Sequence, residues 1–124
     1  MAALVLLVED VEDNRALARF VLAAMGHEVV EAPCGVDALA RAAERPPALV
    51  LTDLSLPQMD GYEAAERLRA LPGLAAVPIL AVTAHAMAGD REKVLAAGFD
   101  GYLTKPLDLK AFRAAVSAAL QRQP

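Results

Sequence analysis

The sequence alternates short apolar runs with segments of helical periodicity, and this alternation limits the fold more than any other feature. The apolar runs are rich in Val, Leu and Ala and are typical of buried parallel strands. The predicted strands cover residues 3–8, 27–32, 49–53, 77–83 and 99–104. The predicted helices cover residues 12–25, 34–45, 61–70, 90–97 and 108–121. Because such alternation requires right-handed crossovers, we predict an α/β fold, a doubly wound (βα)5 domain with a five-stranded parallel sheet.

The first predicted helix shows the periodicity most clearly. Arg15 and Arg19 lie off an apolar stripe that recurs at helical spacing and consists of Leu17, Phe20, Val21 and Met25. A helix with one apolar stripe buries that stripe against the core. We therefore expect these four residues to face the sheet, and we expect Gly26 to end the helix.

Composition and charge exclude several classes of function. The chain has 124 residues, 56% of them hydrophobic, and we predict that residues 1–124 form one domain. The net charge of −4, without a cluster of Lys and Arg, argues against direct binding to nucleic acid. No apolar stretch approaches the ~20 residues that span a bilayer, and Glu9 and Asp10 interrupt the first apolar run, so no signal peptide is expected. A single cysteine, Cys34, excludes an internal disulfide, and we expect a cytoplasmic protein without a membrane partner.

Polar residues follow four of the five predicted strands. Glu9 and Asp10 follow the first strand, Asp53 closes the third, Thr83 closes the fourth, and Lys105 follows the fifth. The carboxyl ends of parallel strands meet at one edge of the sheet, which is where open α/β sheets bind their ligands. We therefore expect three carboxylates, a hydroxyl and an ammonium group to converge there.

This combination of groups suits phosphoryl chemistry. Carboxylates at close range repel one another, so at least one pKa rises unless a cation is present. Oxygen ligands open to solvent suit Mg²⁺, which neutralises both the carboxylates and an incoming phosphoryl group. Asp53 is then a candidate nucleophile for an acyl phosphate. Lys105 can bind phosphoryl oxygens, and the Thr83 hydroxyl can donate a hydrogen bond.

Each of these residues also has an ordinary interpretation. Asp53 can cap the next helix or lie in a loop, and Glu9 and Asp10 can cap the first helix. Thr83 can be a plain strand residue, and Lys105 can be a solvated loop lysine. Their joint occurrence at four strand ends favours the functional interpretation.

The chain closely resembles the receiver domain of bacterial two-component response regulators, which has the CheY-like fold. The resemblance covers essentially the whole chain and is closest to stand-alone single-domain regulators of the DivK type and to receiver modules of hybrid kinases. It is carried by Val8-Glu9-Asp10 with Asn14, by residues 51–61 (LTDLSLPQMDG), by Val82-Thr83-Ala84, and by residues 98–106 (GFDGYLTKP). The resemblance implies the strand order 2-1-3-4-5 of the flavodoxin-like and CheY-like folds.

The resemblance also implies a phosphoacceptor and a magnesium site. Asp53 would accept a phosphoryl group from phosphohistidine on a sensor histidine kinase or a histidine phosphotransfer protein. Asp10 and Asp53 would bind Mg²⁺ directly, Glu9 through water, and Ser55 through its backbone carbonyl. Thr83, the backbone N–H of Ala84 and Lys105 would hold the phosphoryl oxygens.

The switch and the output surface are implied in the same way. Tyr102 matches the aromatic switch position and would swing inward when Thr83 moves toward the phosphate. The peptide bond before Pro106 would be cis. Output would pass to a downstream protein through the face made by the fourth helix, fifth strand and fifth helix.

Two features depart from the common family pattern or leave function open. Glu9 stands where many members have Asp, and Ser55 and His85 occupy positions that tune dephosphorylation in the family; His85 can also be an ordinary loop histidine. We expect a signalling phosphoacceptor and not a classical enzyme. The alternatives are a hydrolase that forms an aspartyl phosphate and a binding module that works without phosphorylation.

Overall fold

A computed structural model of the chain describes residues 2–84 and 89–121. Strands and helices alternate through these residues. The strands are β1 (Leu4–Val8), β2 (Glu28–Ala32), β3 (Leu49–Asp53), β4 (Ile79–Thr83) and β5 (Gly101–Thr104). The helices are α1 (Glu12–Ala24), α2 (Gly35–Glu44), α3 (Gly61–Arg69), α4 (Asp90–Ala96) and α5 (Leu109–Gln121).

All neighbouring strands are parallel, and they form one sheet in the order β2-β1-β3-β4-β5. This confirms the predicted fold class and the strand order. One face of the sheet packs on α2, α3 and α4, and the other face packs on α1 and α5. Alternate residues of one strand therefore enter different cores: Leu6 packs with the first layer and Leu7 with the second.

The central strands are the most apolar because helices cover both of their faces. All five residues of β3 and of β4 are buried. At the edge, β2 is mostly half-buried, and its Glu28 and Glu31 pair with arginines of neighbouring segments. These charges shield an edge that would otherwise be open to pairing with another chain.

The structure corrects the predicted core face of α1. Phe20 is 72% exposed and Leu17 is 41% exposed, whereas the sheet side of the helix consists of Ala18, Val21 and Leu22. Apolar residues at adjacent positions allowed two overlapping stripes, and the small Ala18 lets the helix approach the sheet closely. The prediction that Leu17 and Phe20 face the sheet was therefore wrong, while Val21 belongs to both stripes.

Four of the five strands begin later than predicted, β1 and β2 by one residue and β4 and β5 by two. β4 begins at Ile79 and not at residue 77, and β5 begins at Gly101 and not at residue 99. Val77 and Phe99 are buried, so their apolar character reflects packing and not strand pairing. No helix among the described residues is long and apolar enough to cross a membrane.

Candidate functional site

The carboxyl ends of β1 and β3 place three acidic side chains together. The register pairs Val8 with Thr52, so Glu9 leaves β1 beside Asp53 at the end of β3. Glu9, Asp10 and Asp53 each offer a carboxylate oxygen, and these oxygens all lie within 4.8 Å of one another. Glu9 and Asp53 are buried, whereas Asp10 is exposed. The cluster is therefore anchored inside the fold and open to solvent on one side.

Lys105 bridges two of these carboxylates. Its Nζ lies 2.5 Å from Glu9 Oε1 and 2.5 Å from Asp53 Oδ2, and only 14% of its side chain is exposed. The backbone N–H of Lys105 donates to the Thr83 carbonyl at 2.8 Å, which fixes the lysine next to the end of β4. The following peptide bond, to Pro106, is cis. The end of β5 thus delivers one ammonium group into the acidic cluster.

One ammonium group does not balance three carboxylates. The remaining negative charge is partly buried, and such charge is costly unless a cation compensates it. The donors are hard oxygen atoms, and Asp10 faces solvent, so the set suits Mg²⁺, which keeps several of its waters. The residues present therefore fit the metal that the sequence predicts.

Burial and pairing shift two pKa values at this site. Burial raises the pKa of Glu9 above its ordinary value, although hydrogen bonds from Lys105 and from the Val11 N–H oppose the shift. For Lys105, burial alone would lower the pKa, but the hydrogen bonds and charges of Asp53 and Glu9 outweigh burial and raise it. Lys105 therefore keeps its charge at neutral pH, while burial makes ionisation of Glu9 less favourable than it is in water.

An apolar wall on one side of the cluster contributes to this desolvation. A cavity of about 80 Å³ runs from Glu9, Asp53 and Lys105 toward α1 and the start of α5. Apolar side chains make most of its lining, among them Leu17, Val82, Leu107 and Phe112. The acidic cluster thus has water on one side and hydrocarbon on the other, which strengthens every charge interaction between its members.

The loop after β3 and the start of α3 both contact Asp53 and fix its position. The Ser55 N–H donates to Asp53 Oδ1 at 2.8 Å, which leaves Oδ2 for Lys105. Gly61 begins α3 so close to this strand end that a Cβ atom there would lie 2.4 Å from the Asp53 carbonyl oxygen. Asp60 caps α3 by accepting a hydrogen bond from the Glu63 N–H. Only glycine permits this close approach, so α3 packs directly against the backbone of Asp53.

The remaining predicted site residues belong to β4, to β5 and to the segment of the sequence that follows β4. Thr83 is buried at the end of β4, and Ala84 follows it and is exposed. The hydroxyl oxygen of Tyr102 is buried and has no hydrogen-bond partner among the described residues. Burial and the nearby charge of Asp90 raise the pKa of Tyr102. His85 lies outside the described residues, so its predicted role in dephosphorylation stays a prediction.

Sequence reasoning missed two contacts. Glu9 was assigned to the metal alone, but it also pairs with Lys105. Arg15 was noted only as lying off the apolar stripe, but its guanidinium reaches the Glu9 backbone carbonyl at 2.8 Å. An arginine on the first turns of a helix that follows an acidic strand end is the signal that could have indicated this contact.

Comparisons with known proteins decide the family. The model of the response regulator receiver domain matches residues 5–117. The chain belongs to the response regulator receiver family. The polar-differentiation response regulator DivK of Brucella ovis is 38% identical over 112 residues, which is 90% of this chain and 91% of that protein.

Solved receiver structures share the architecture. The receiver domain of the sensor histidine kinase PA1611 from Pseudomonas aeruginosa, which has a magnesium ion coordinated in its active-site cleft, is 33% identical and superposes with a TM-score of 0.88. That similarity covers 98% of this chain and 99% of that one. The chemotaxis regulator CheY4 of Vibrio cholerae is 27% identical, with a TM-score of 0.88 over 96% of this chain and 99% of that one. This receiver is therefore CheY-like in fold and DivK-like in sequence.

Proposed function

We propose that this receiver accepts a phosphoryl group on Asp53 from a phosphohistidine, in a two-component system or phosphorelay in the cytoplasm. The donor is a sensor histidine kinase or a histidine phosphotransfer protein. The observation that carries the proposal is the cluster of Glu9, Asp10 and Asp53 with Lys105 inserted between two of its carboxylates. A fold-only module would gain no stability from burying this excess of negative charge.

In the proposed reaction, a carboxylate oxygen of Asp53 attacks phosphorus, and the bond between phosphorus and the histidine nitrogen breaks. The electron pair returns to the imidazole nitrogen, which takes up a proton. Asp10, Asp53, the Ser55 carbonyl and, through water, Glu9 would hold Mg²⁺, which would supply positive charge to offset that of the phosphoryl group. Lys105 binds a phosphoryl oxygen as a point charge, and Thr83 and the Ala84 N–H donate hydrogen bonds to others.

The phosphoryl group then acts as a switch. It adds about −1.5 to −2 charges at the sheet edge and gives Lys105 and Thr83 new acceptors. Tyr102 lies on β5 next to Thr83's strand and follows the movement of that hydroxyl, which biases the packing of α4, β5 and α5 toward a downstream protein. We expect Ser55 and His85, which come two positions after Asp53 and Thr83 in the sequence, to tune the lifetime of the acyl phosphate.

Incubation with acetyl phosphate and Mg²⁺ tests the phosphoacceptor directly. Intact-mass measurement should show one added phosphoryl group on the native chain, and hydroxylamine should remove it. Asp53→Asn should remain unlabelled, while Asp37→Asn, a matched change at an exposed position on α2, should be labelled like the native chain. A native chain that stays unlabelled, or an Asp53→Asn variant labelled to the same extent, would contradict the proposal.

The same incubation separates a phosphoacceptor from a hydrolase. A hydrolase that forms an aspartyl phosphate would carry a second acid or base close behind its nucleophile, but the residue two positions after Asp53 is Ser55. The proposed receiver therefore takes up one phosphoryl group and does not turn over phosphate esters continuously. Continuous hydrolysis of a chromogenic phosphate ester, abolished by Asp53→Asn, would favour the hydrolase.

A further inference from the structure

Arg15 joins two acidic side chains, those of Glu12 and Glu31, to the backbone at the end of β1. Its Nη1 donates to the Glu9 backbone carbonyl at 2.8 Å, its Nε donates to Glu31 Oε1 at 3.1 Å, and its Nη2 pairs with Glu12. Only 17% of the Arg15 side chain is exposed. A hydrogen bond from a guanidinium to a carbonyl is charge-assisted and therefore holds the carbonyl firmly.

The carbonyl that Arg15 holds belongs to the peptide group that links Glu9 to Asp10. The other groups of Glu9 are fixed as well, because its N–H donates to the Ala32 carbonyl at 3.0 Å and its Oε2 accepts from the Val11 N–H at 3.1 Å. With the Arg15 bond, the N–H, the side chain and the carbonyl of Glu9 all have hydrogen-bond partners, and together these bonds fix the plane of the Glu9–Asp10 peptide. The direction in which the Asp10 side chain leaves the backbone depends on that plane.

We infer that Arg15 is a positioning residue for the metal site, acting through the Glu9–Asp10 peptide without touching the metal. This inference rests on the proposed function, since it assumes that Asp10 and Asp53 bind Mg²⁺. Groups that orient metal ligands from the next layer typically change metal affinity by about 10- to 100-fold when they are removed. Arg15 belongs to α1 and also binds Glu31 of β2, so it connects the end of β1 to both of these elements.

A positioning role of Arg15 and a purely electrostatic effect of its charge predict opposite changes in Mg²⁺ affinity when Arg15 is replaced. Arg15 is a cation near a cation site, so charge alone predicts that its removal tightens Mg²⁺ binding. Loss of positioning predicts weaker binding. The sign of the change in affinity therefore distinguishes the two effects.

Arg19 offers a matched control one turn further along α1. Its Nη1 lies 2.8 Å from Glu31 Oε1 and 2.8 Å from Glu31 Oε2, but it has no bond to Glu9. Arg15→Met and Arg19→Met each remove one positive charge from α1 and leave Glu31 with one arginine partner. Only Arg15→Met releases the Glu9 carbonyl.

The experiment is a Mg²⁺ titration followed by the NMR chemical shifts of backbone amides, with urea unfolding of each variant as a check on folding. The native chain should bind Mg²⁺, and Asp53→Asn should bind it much more weakly. Arg15→Met should weaken Mg²⁺ binding by about tenfold while remaining folded. Arg19→Met should leave the affinity unchanged or slightly higher.

The outcomes separate the inference from the proposed function. Arg15→Met and Arg19→Met changing the affinity equally, or both tightening it, would overturn the positioning role while the metal site stands. A native chain whose Mg²⁺ binding does not depend on Asp53 would overturn the proposed function first. Arg15→Lys is the milder variant if Arg15→Met fails to fold, because it keeps the positive charge but replaces the planar guanidinium with one ammonium group. Arg15→Lys should still bind Mg²⁺ less tightly than Arg19→Lys. Equal affinities of these two variants would overturn the inference.

Discussion

Two clusters of charged side chains lie at opposite edges of the sheet, and they are built differently. At the amino edge, Arg69 at the end of α3 pairs with Asp100 before β5 at 2.8 Å. Arg69 also donates to the carbonyls of Gly98 and Val77, and Asp100 accepts the N–H of Ile79 at 2.8 Å. At the carboxyl edge, Lys105 meets Glu9 and Asp53 while Asp10 adds a third carboxylate.

The difference lies in charge balance and backbone contacts. Arg69 and Asp100 pair as one base and one acid. Arg69 binds carbonyls just before β4 and β5, and Asp100 binds the first N–H of β4, so the pair connects α3 to these strands. The Lys105 cluster is more deeply buried and has more acids than bases. The first arrangement stabilises the fold, whereas the second stores unfavourable charge that a bound cation can relieve.

Removing the arginine of the amino-edge cluster should have the largest effect on stability. Arg69→Ala should lower the free energy of unfolding by about 2–3 kcal/mol, because it leaves Asp100 and two carbonyls without their charged donor. Urea unfolding measures the change. Arg67→Ala, two residues earlier in an exposed pair with Glu63, should change it by no more than about 0.5 kcal/mol. Equal losses in the two variants would mean that Arg69 is not a fastening residue.

An Asp→Asn substitution should change the free energy of unfolding in opposite directions at the two edges of the sheet. Asp100→Asn removes the partner of Arg69 and should lower the free energy of unfolding by about 1–2 kcal/mol. Asp53→Asn removes one of three clustered carboxylates and should raise it when no Mg²⁺ is present. Urea unfolding of both variants in a chelator tests the comparison, and a loss of equal size in both would remove the distinction between the clusters.

Magnesium should stabilise the carboxyl edge alone. At a tenfold excess over its dissociation constant, Mg²⁺ should raise the free energy of unfolding of the native chain by about 1.4 kcal/mol, because it binds only the folded site. Asp100→Asn should retain this gain, and Asp53→Asn should lose most of it. Thermal unfolding with and without Mg²⁺ provides the measurement, and a gain that survives Asp53→Asn would place the ion elsewhere.

The smallest expected effect is a dependence on pH. The pKa of Glu9 is raised above 4.5 in the folded chain, so its stabilising contribution is complete below pH 4.5 and is lost as pH rises through the folded value. Glu9→Gln lacks this loss, so without Mg²⁺ its stability relative to the native chain should increase as the pH rises from 4.5 toward neutral. Urea unfolding across this range measures the difference.

Glu28 supplies the control of opposite sign. A hydrogen bond from Arg45 holds the pKa of its carboxyl below the usual value, so the stability it contributes is present at higher pH and is lost on acidification. Glu28→Gln should therefore lose stability relative to the native chain as pH rises. If the stabilities of Glu9→Gln and Glu28→Gln, each relative to the native chain, changed in the same direction with pH, burial would not be the cause of the raised Glu9 pKa.

The fold was predictable because its signals are local. Apolar runs, helical periodicity and helix-ending glycines such as Gly26 and Gly98 give the elements, and alternation gives a parallel sheet. Strand starts were less predictable because apolar residues such as Val77 and Phe99 serve the core without joining the ladder. The face of α1 was ambiguous because Leu17, Phe20 and Val21 allow two stripes, and only packing against the sheet selects one.

The sequence predicted which residues meet at the carboxyl edge of the sheet, but it did not predict the contacts between their side chains. Parallel strands bring Asp10, Asp53 and Lys105 to one edge whatever their side-chain conformations. The link between Lys105 and Glu9, and that between Arg15 and the Glu9 carbonyl, depend on side-chain reach across neighbouring segments. Sequence spacing carries no information about such contacts between residues far apart in the chain.

The most direct test of the central claim is to locate the phosphoryl group. Borohydride reduces an aspartyl phosphate to homoserine, so reduction of the acetyl phosphate-treated chain, followed by peptide mass mapping, identifies the modified residue. The charge imbalance at the carboxyl edge predicts homoserine at position 53, dependent on Mg²⁺. Homoserine at position 10, or none in a chain incubated with both acetyl phosphate and Mg²⁺, would contradict the assignment of Asp53 as the phosphoacceptor.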